Sequence, residues 1–154
     1  MSAWPVAEEA FGGLNPFTVE GKAQLVINQQ DMNCVKFSLT LCDFWAVNYD
    51  TMSQIMSCIL DRSVSVGELK IAGERIWNLL RMFNIREGFK MVDDSLPKRF
   101  FDEDLKSGHT ANRILPRDQF DIMLKEYYQI RGWNELGIPT KERLAKLEVW
   151  ESGV

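Results

Sequence analysis

The chain has 154 residues, of which 45% are hydrophobic and 26% are charged, with a formal net charge of -4 and a pI near 5.1. This composition is that of an ordinary globular protein, and the acidic balance argues against a nucleic-acid-binding surface, which is normally basic. The longest apolar run, 35–47, is too short and too charged to span a bilayer, and the N-terminus lacks a signal peptide. We therefore expect a cytoplasmic protein that binds neither nucleic acid nor membrane.

Helical periodicity dominates the first half of the chain. A short leading helix is predicted over about Trp4–Ala10, and it ends at the glycine pair 12–13. Thr18 is the predicted cap of a long helix over about Val19–Phe37, and Asp50 or Thr51 starts the next helix. The predicted apolar stripe of the long helix consists of Val19, Ala23, Val26, Ile27, Gln30, Cys34 and Phe37.

The second half carries clearer start signals. Ser65 and Glu68 have the spacing of a capping box, which opens a helix that runs to about Phe83. Pro116 suits the first turn of another helix, and Thr140 caps a last short one. The residues predicted to face inward are Leu69, Ala72, Ile76, Leu79, Leu80, Phe83, Phe120, Met123, Leu124, Tyr127 and Tyr128.

These patterns predict an all-α fold, an irregular multihelical bundle in a single domain over 1–154. Its parts are a leading helix (1–15), a helical core (16–84), an ordered turn with a polar loop (85–115) and C-terminal helices (116–154). No segment alternates long enough for a convincing sheet, although 64–66 could pair briefly.

Candidate catalytic residues are sparse. Cys34, Cys42 and Cys58 include no C-x-x-C pair, so each can be a small buried hydrophobe, and a disulfide framework is not expected. His109 lies in a polar loop, where a solvated histidine is expected. The acidic pair 93–94 is expected in a solvated turn, with cation binding as the alternative. Arg75, Arg81 and Arg86 could form ion pairs in the core rather than bind substrate. Apart from the resemblance described below, the sequence identifies no catalytic residue.

Three strings have a distinctive order: 81–101 (RMFNIREGFKMVDDSLPKRFF), 127–133 (YYQIRGW) and 137–140 (GIPT). Together they resemble the C-terminal end of the tungsten-containing aldehyde ferredoxin oxidoreductases, and the resemblance extends over about 17–147. It implies the C-terminal helical part of an enzyme in which a β-rich N-terminal domain cradles the cofactor. That cofactor domain, absent from this sequence, is the first expected partner.

The resemblance also implies a site. The family pattern Asp-x-x-Gly-Leu-Cys falls on 37–42, so Cys42 is similar to the fourth ligand of a 4Fe-4S cluster, whose other three cysteines lie upstream. Leu41 corresponds to a residue whose backbone touches a pterin, and Thr40 stands beside it in the cofactor-binding motif. Phe37 replaces the family aspartate and accepts no hydrogen bond, and Thr40 replaces the family glycine.

The function implied by the resemblance is the oxidation of aldehydes to carboxylic acids at a tungsten or molybdenum bis-pterin centre, with electrons passing through the cluster to ferredoxin. This chain would supply one cluster ligand and part of the pocket, and alone it is expected to be inactive and to hold no cofactor. Self-association into a homodimer is possible. The alternative, favoured by Phe37 and Thr40, is a stand-alone helical interaction or structural module that has lost cofactor binding.

Overall fold

The computed structural model describes residues 18–104, 106–107 and 113–149. Within them lie a short 3-10 helix at Met91–Asp93, an isolated antiparallel bridge between Trp133 and Pro139, and six α-helices. The helices are α1 (Lys22–Ser38), α2 (Tyr49–Leu60), α3 (Val66–Arg86), α4 (Arg99–Asp102), α5 (Arg117–Arg131) and α6 (Lys141–Lys146). The prediction of an all-α fold is thus confirmed. The predicted leading helix and His109 lie outside the described residues, and residues 64–65 are a loop that leads into α3 at Val66.

Two predicted helix starts are confirmed. The Ser65 hydroxyl accepts the Glu68 N–H at 3.1 Å, and the Glu68 carboxylate accepts the Ser65 N–H at 2.8 Å, which completes the capping box of α3. The Thr140 hydroxyl accepts the Arg143 N–H at 3.2 Å and caps α6.

Two other predicted starts are wrong by a few residues. The first helix begins at Lys22 after Gly21, whose φ of 73° is left-handed, so Thr18 is not its cap. The second begins at Tyr49, because the side chain of Asn48 accepts the Thr51 N–H at 2.9 Å. In both cases the residue that ends the preceding loop fixes where the helix starts.

Helix α1 is central and packs on both α3 and α5. It meets α3 closely at Gly73, where an added Cβ would collide with the backbone of Asp31. It meets α5 through Arg131, which is 1% exposed and donates to Asp31 at 2.6 Å and to Gln30 at 2.9 Å. The middle of α1 is therefore held by backbone contact on one side and by a buried ion pair on the other.

The described residues form two apolar clusters. One lies between the end of α1, α2 and the start of α3, with Val35, Met52, Val64 and Leu69 at its centre. The other joins the end of the chain to α3 through Leu144, Leu147, Val149 and Met82. Within the described residues, no helix is long and apolar enough to cross a membrane.

Several residues predicted to face inward are instead about half exposed. They are Val26 (45%), Phe37 (56%), Leu79 (49%), Leu80 (48%) and Phe83 (52%). Val26 and Leu80 line an open cavity of about 660 Å³ between α1, α3 and α5, so the helical stripe faces a cavity there rather than a closed core. The remaining three lie on helix faces that the described part of the chain leaves uncovered.

Candidate cofactor site at the end of the first helix

The segment that follows α1 is the "cysteine turn", residues 39–47, and a helix-ending motif fixes its start. The Thr40 N–H donates to the Phe37 carbonyl at 3.0 Å and the Leu41 N–H donates to the Lys36 carbonyl at 3.1 Å. Thr40 itself has a φ of 56°. This is the Schellman arrangement, which normally uses glycine at the left-handed position. The sequence thus departs from the family glycine, while the backbone conformation that glycine favours is kept.

The ends of the cysteine turn pack against the protein, whereas its middle, 42–46, is exposed. Leu39, Leu41 and Val47 pack against the cluster that contains Val35 and Met52. Cys42 is exposed, Phe44 is 100% exposed and Trp45 is 70% exposed. The Trp45 N–H donates to the Cys42 carbonyl at 3.3 Å. A fixed backbone therefore presents a thiol and two aromatic rings outward.

The three cysteines occupy different environments. Cys34 is buried in α1, and desolvation together with the nearby Asp31 carboxylate raises the pKa of its thiol to about 11. Cys42 and Cys58 are exposed. A ligand to a cluster shared with another domain must reach the surface, so the exposure of Cys42 and Cys58 fits that role and the burial of Cys34 does not. Among the described residues no group of three potential ligands is close enough to hold an ion.

The residues expected to contact a pterin, Thr40 and Leu41, also lie in the cysteine turn. Because the backbone N–H groups of Thr40 and Leu41 already donate to α1, a group bound here would meet these residues through their carbonyl oxygens. The Thr40 hydroxyl donates to the Leu39 carbonyl at 2.7 Å. Phe37 is exposed on the last turn of α1 and offers a ring where the family has a carboxylate. The motif thus keeps the backbone conformation that its glycine would favour, but it has no carboxylate at position 37.

Sequence reasoning missed a buried lysine at this site. Lys36 is 5% exposed, and its Nζ donates to Asp43 Oδ1 at 3.2 Å. The Asp43 side chain is 62% exposed. The one available signal was the pair of charges inside the apolar run 35–47.

The distinctive segment 81–101 serves a different purpose. Arg81, 6% exposed, donates from Nε to the Gly137 carbonyl at 2.8 Å and from both terminal nitrogens to Asp94, at 2.9 and 2.5 Å. The Tyr128 hydroxyl donates to the same carboxylate at 2.6 Å, and burial with this contact raises the Tyr128 pKa. The Arg81 guanidinium also lies 4.8 Å from the Trp133 ring centroid. This cluster ties the segment to the helices.

Two expectations about charged residues need correction. Asp94 does not lie in a solvated turn, because its side chain is 19% exposed and paired with Arg81. Arg86 is not a core ion pair, because it is 50% exposed and pairs with the adjacent Glu87. Arg75 is partly exposed and donates to the Leu147 carbonyl at 2.6 Å. Of the three arginines, only Arg81 forms the expected buried pair.

Known proteins resemble nearly the whole chain. The profile of the family described as aldehyde ferredoxin oxidoreductase, domains 2 and 3, matches residues 1–149. The tungsten-containing aldehyde ferredoxin oxidoreductase of Pyrococcus horikoshii is 32% identical over 133 residues, which cover 84% of this chain and 21% of that protein. The enzyme of the same name from Pyrococcus furiosus is 32% identical over 135 residues, which cover 86% of this chain and 22% of that protein.

A solved structure agrees with these relatives. The active site complex BamBC of benzoyl coenzyme A reductase, in complex with 1,5-dienoyl-CoA, superposes with a TM-score of 0.70 at 27% identity. The match covers 89% of this chain and 20% of that one. The chain thus spans about a fifth of the length of the curated relatives it matches.

Proposed function

The chain belongs to the aldehyde ferredoxin oxidoreductase family, and from that premise we propose that it is the C-terminal part of an enzyme that oxidises aldehydes to carboxylic acids. The reaction would take place at a tungsten or molybdenum bis-pterin centre held mainly by an N-terminal cofactor domain. The relatives are several times longer than this chain, which leaves room for such a domain.

The observation that carries the proposal is the position of Cys42. Cys42 is exposed on the cysteine turn, while Leu39 and Leu41 on either side of Thr40 are partly buried and pack against the core. A cubane cluster takes four cysteine thiolates, so a cluster shared between domains needs a ligand at the surface of each. Cys42 would be the ligand that this chain supplies, and the others would come from the cofactor domain.

The remaining residues of the cysteine turn would shape the site. When bound, the metal and pterins supply the two-electron chemistry, and the cluster passes the electrons singly to ferredoxin. The Leu41 and Thr40 carbonyl oxygens would face the cofactor. Phe44 and Trp45, exposed here, would pack under the cofactor domain and keep water from the centre.

The test replaces single cysteines in the full-length enzyme. Cys42→Ser is expected to abolish the electron paramagnetic resonance signal of the reduced cluster and to lower the iron content, because one ligand is lost. Cys58→Ser, a change at the other exposed cysteine, is the matched control and should leave both unchanged. An intact cluster signal in Cys42→Ser would refute the assignment.

One observation favours the alternative, a helical interaction module without cofactor. Phe37, Phe44 and Trp45 are each exposed within a few residues of Cys42, and Phe37 has replaced the acidic residue of the family motif. Exposed apolar patches of this kind mark protein interfaces. If the protein is such an interaction module, the native protein should be isolated without iron and with a partner protein bound to this surface. Iron bound through Cys42 excludes it.

A further inference from the structure

Lys36 combines burial with charge at the start of the cysteine turn. It is 5% exposed in the last turn of α1, and its Nζ donates to Asp43 Oδ1 at 3.2 Å. Moving an ammonium group out of water costs several kcal/mol, of which one partly exposed carboxylate returns only a part. A methionine or leucine would fill the same space without that cost. The charge therefore calls for an explanation beyond packing.

The same residue holds the chain on both sides of Cys42. The Lys36 carbonyl accepts the Leu41 N–H at 3.1 Å, and the Lys36 ammonium binds the side chain of Asp43. Leu41 and Asp43 are the two neighbours of Cys42 in the sequence. One helical residue thus fixes both ends of the tripeptide that carries the thiol.

We propose that Lys36 is a positioning residue for Cys42, which orients the thiol through its two contacts and offsets negative charge at the sulfur with its ammonium group. This inference deepens the proposed function and rests on it for the identity of the group that Cys42 binds. A thiolate, and a cluster ligated by four thiolates, is negative, so a buried cation that binds the residue next to Cys42 would stabilise the ligated state. The charge on Lys36 would then raise the reduction potential of the cluster.

A pair of alkylating reagents tests the electrostatic part on this chain. Iodoacetate is an anion and iodoacetamide is neutral, but the thiolate attacks each of them at the CH2 carbon that bears iodine and displaces iodide. The ratio of their rates at Cys42 cancels thiol exposure and thiolate fraction, and it reports the local potential. Mass spectrometry of the separate peptides gives the same ratio for Cys58, which is exposed on α2 and serves as the internal control.

The two partners give opposite expectations. Lys36→Met removes the cation and leaves the carboxylate, so the iodoacetate-to-iodoacetamide ratio at Cys42 should fall about two- to threefold. Asp43→Asn removes the carboxylate and leaves the cation, so the ratio should rise by a similar factor of about two to three. The ratio at Cys58 should not change, and added salt should shrink both effects at Cys42.

A Lys36 that acts only through packing would leave the Cys42 ratio at the wild-type value in Lys36→Met. The inference is overturned by that result, or if Lys36→Met and Asp43→Asn shift the ratio the same way. Asp43 is exposed, so its replacement leaves the core intact, and it calibrates the effect of removing one charge next to Cys42. Lys36→Gln, whose uncharged side chain can still donate a hydrogen bond to Asp43, takes the place of Lys36→Met if that variant does not fold.

In the full-length enzyme the midpoint potential of the cluster should become more negative in Lys36→Met and more positive in Asp43→Asn. Unchanged potentials would overturn the claim about the cluster. Loss of the cluster signal in Cys42→Ser, with an unchanged reagent ratio at Cys42 in Lys36→Met, would uphold the proposed function and reject the role of Lys36. If the reagent ratios change as expected but the cluster signal survives in Cys42→Ser, the electrostatic role of Lys36 is upheld and the proposed function is rejected.

Discussion

Thr40 has a left-handed backbone in a motif where glycine is usual. Its φ of 56° places a branched Cβ close to the backbone, and the hydrogen bond from its hydroxyl to the Leu39 carbonyl offsets only part of that strain. The position cannot simply relax, because Leu39 and Leu41 on either side are packed in the core. The strain at Thr40 is thus maintained by the anchoring that presents Cys42.

We expect Thr40→Gly to stabilise the chain by about 1 kcal/mol, since relief of left-handed strain exceeds the entropy that glycine loses on folding. Urea unfolding would measure the change. Thr51→Gly, at an ordinary helical position in the first turn of α2, is the control and should cost about 0.3 kcal/mol. A destabilised Thr40→Gly would show that the hydroxyl bond outweighs the strain.

Cys34 gives a prediction about pH. Burial raises the pKa of its thiol from an ordinary 9.0 to about 11, so the folded state keeps the proton that the unfolded state releases first. The contribution of the Cys34 thiol to the free energy of unfolding is therefore fully present below the pKa of the unfolded state. It is lost as the pH rises towards the pKa of the folded state. Between pH 8 and pH 10 the free energy of unfolding should fall by about 1 kcal/mol through Cys34.

Urea unfolding of wild type, Cys34→Ala and Cys58→Ala at both pH values checks this. Cys34→Ala is less stable at pH 8, because it leaves a cavity, but it should lack this component of the pH dependence. Cys58→Ala, at an exposed site, should keep it. The burial effect would be rejected if wild type and Cys34→Ala lost equal free energy between the two pH values.

At the scale of elements, the contact between α1 and α3 depends on one glycine. A Cβ at Gly73 would overlap the backbone of Asp31, which cannot move without displacing the Asp31–Arg131 pair. Gly73→Ala should therefore cost about 3 kcal/mol or more in the free energy of unfolding, despite the better helix propensity of alanine.

Gly67→Ala in the first turn of the same helix is the matched control. Its added Cβ would lie 3.7 Å from the Ser65 hydroxyl, an ordinary contact, so this variant should be neutral or more stable by about 0.5 kcal/mol. Thermal and urea unfolding would measure both variants. Equal changes in the free energy of unfolding would mean that α1 and α3 can move apart at no energetic cost, which would contradict the prediction.

Signals that act within one turn of helix were readable from the sequence. Ser65 and Glu68 satisfy each other's backbone N–H groups three residues apart, and the helix starts where that pattern places it. Thr18 is also a residue type that caps helices, but α1 begins after Gly21, whose backbone is left-handed. Competing local signals are therefore the main source of error in helix boundaries.

Contacts between distant residues were not readable. Arg131 pairs with Asp31 across 100 residues, and Arg81 finds Asp94 only because segment 85–96 folds back on α3. The burial of Lys36 is also tertiary, since a lysine in a helical pattern is normally solvated. The resemblance located Cys42, Leu41 and Thr40, but only the folded chain revealed the lysine beside them.

The whole molecule presents apolar surface that its described residues do not cover. Phe44 is 100% exposed and Trp45 70%, while a monomer seldom presents clustered aromatic rings to water. The relatives that the chain matches are about four times its length, so most of such a protein lies outside this chain. An interface with a cofactor domain would cover the rings and place Cys42 at the shared boundary.

The last prediction concerns metal content. Cluster assembly needs four thiolates close together. This chain has three cysteines, and of these Cys34 is buried with a raised pKa, while Cys42 and Cys58 lie on different elements. We therefore expect the chain to purify colourless, and elemental analysis after anaerobic incubation with iron and sulfide to find no iron, tungsten or molybdenum. Cys42→Ser should give the same result. About four irons per chain would instead require a cluster shared between copies of this chain, which would overturn the assignment of Cys42 to an interface with a separate cofactor domain.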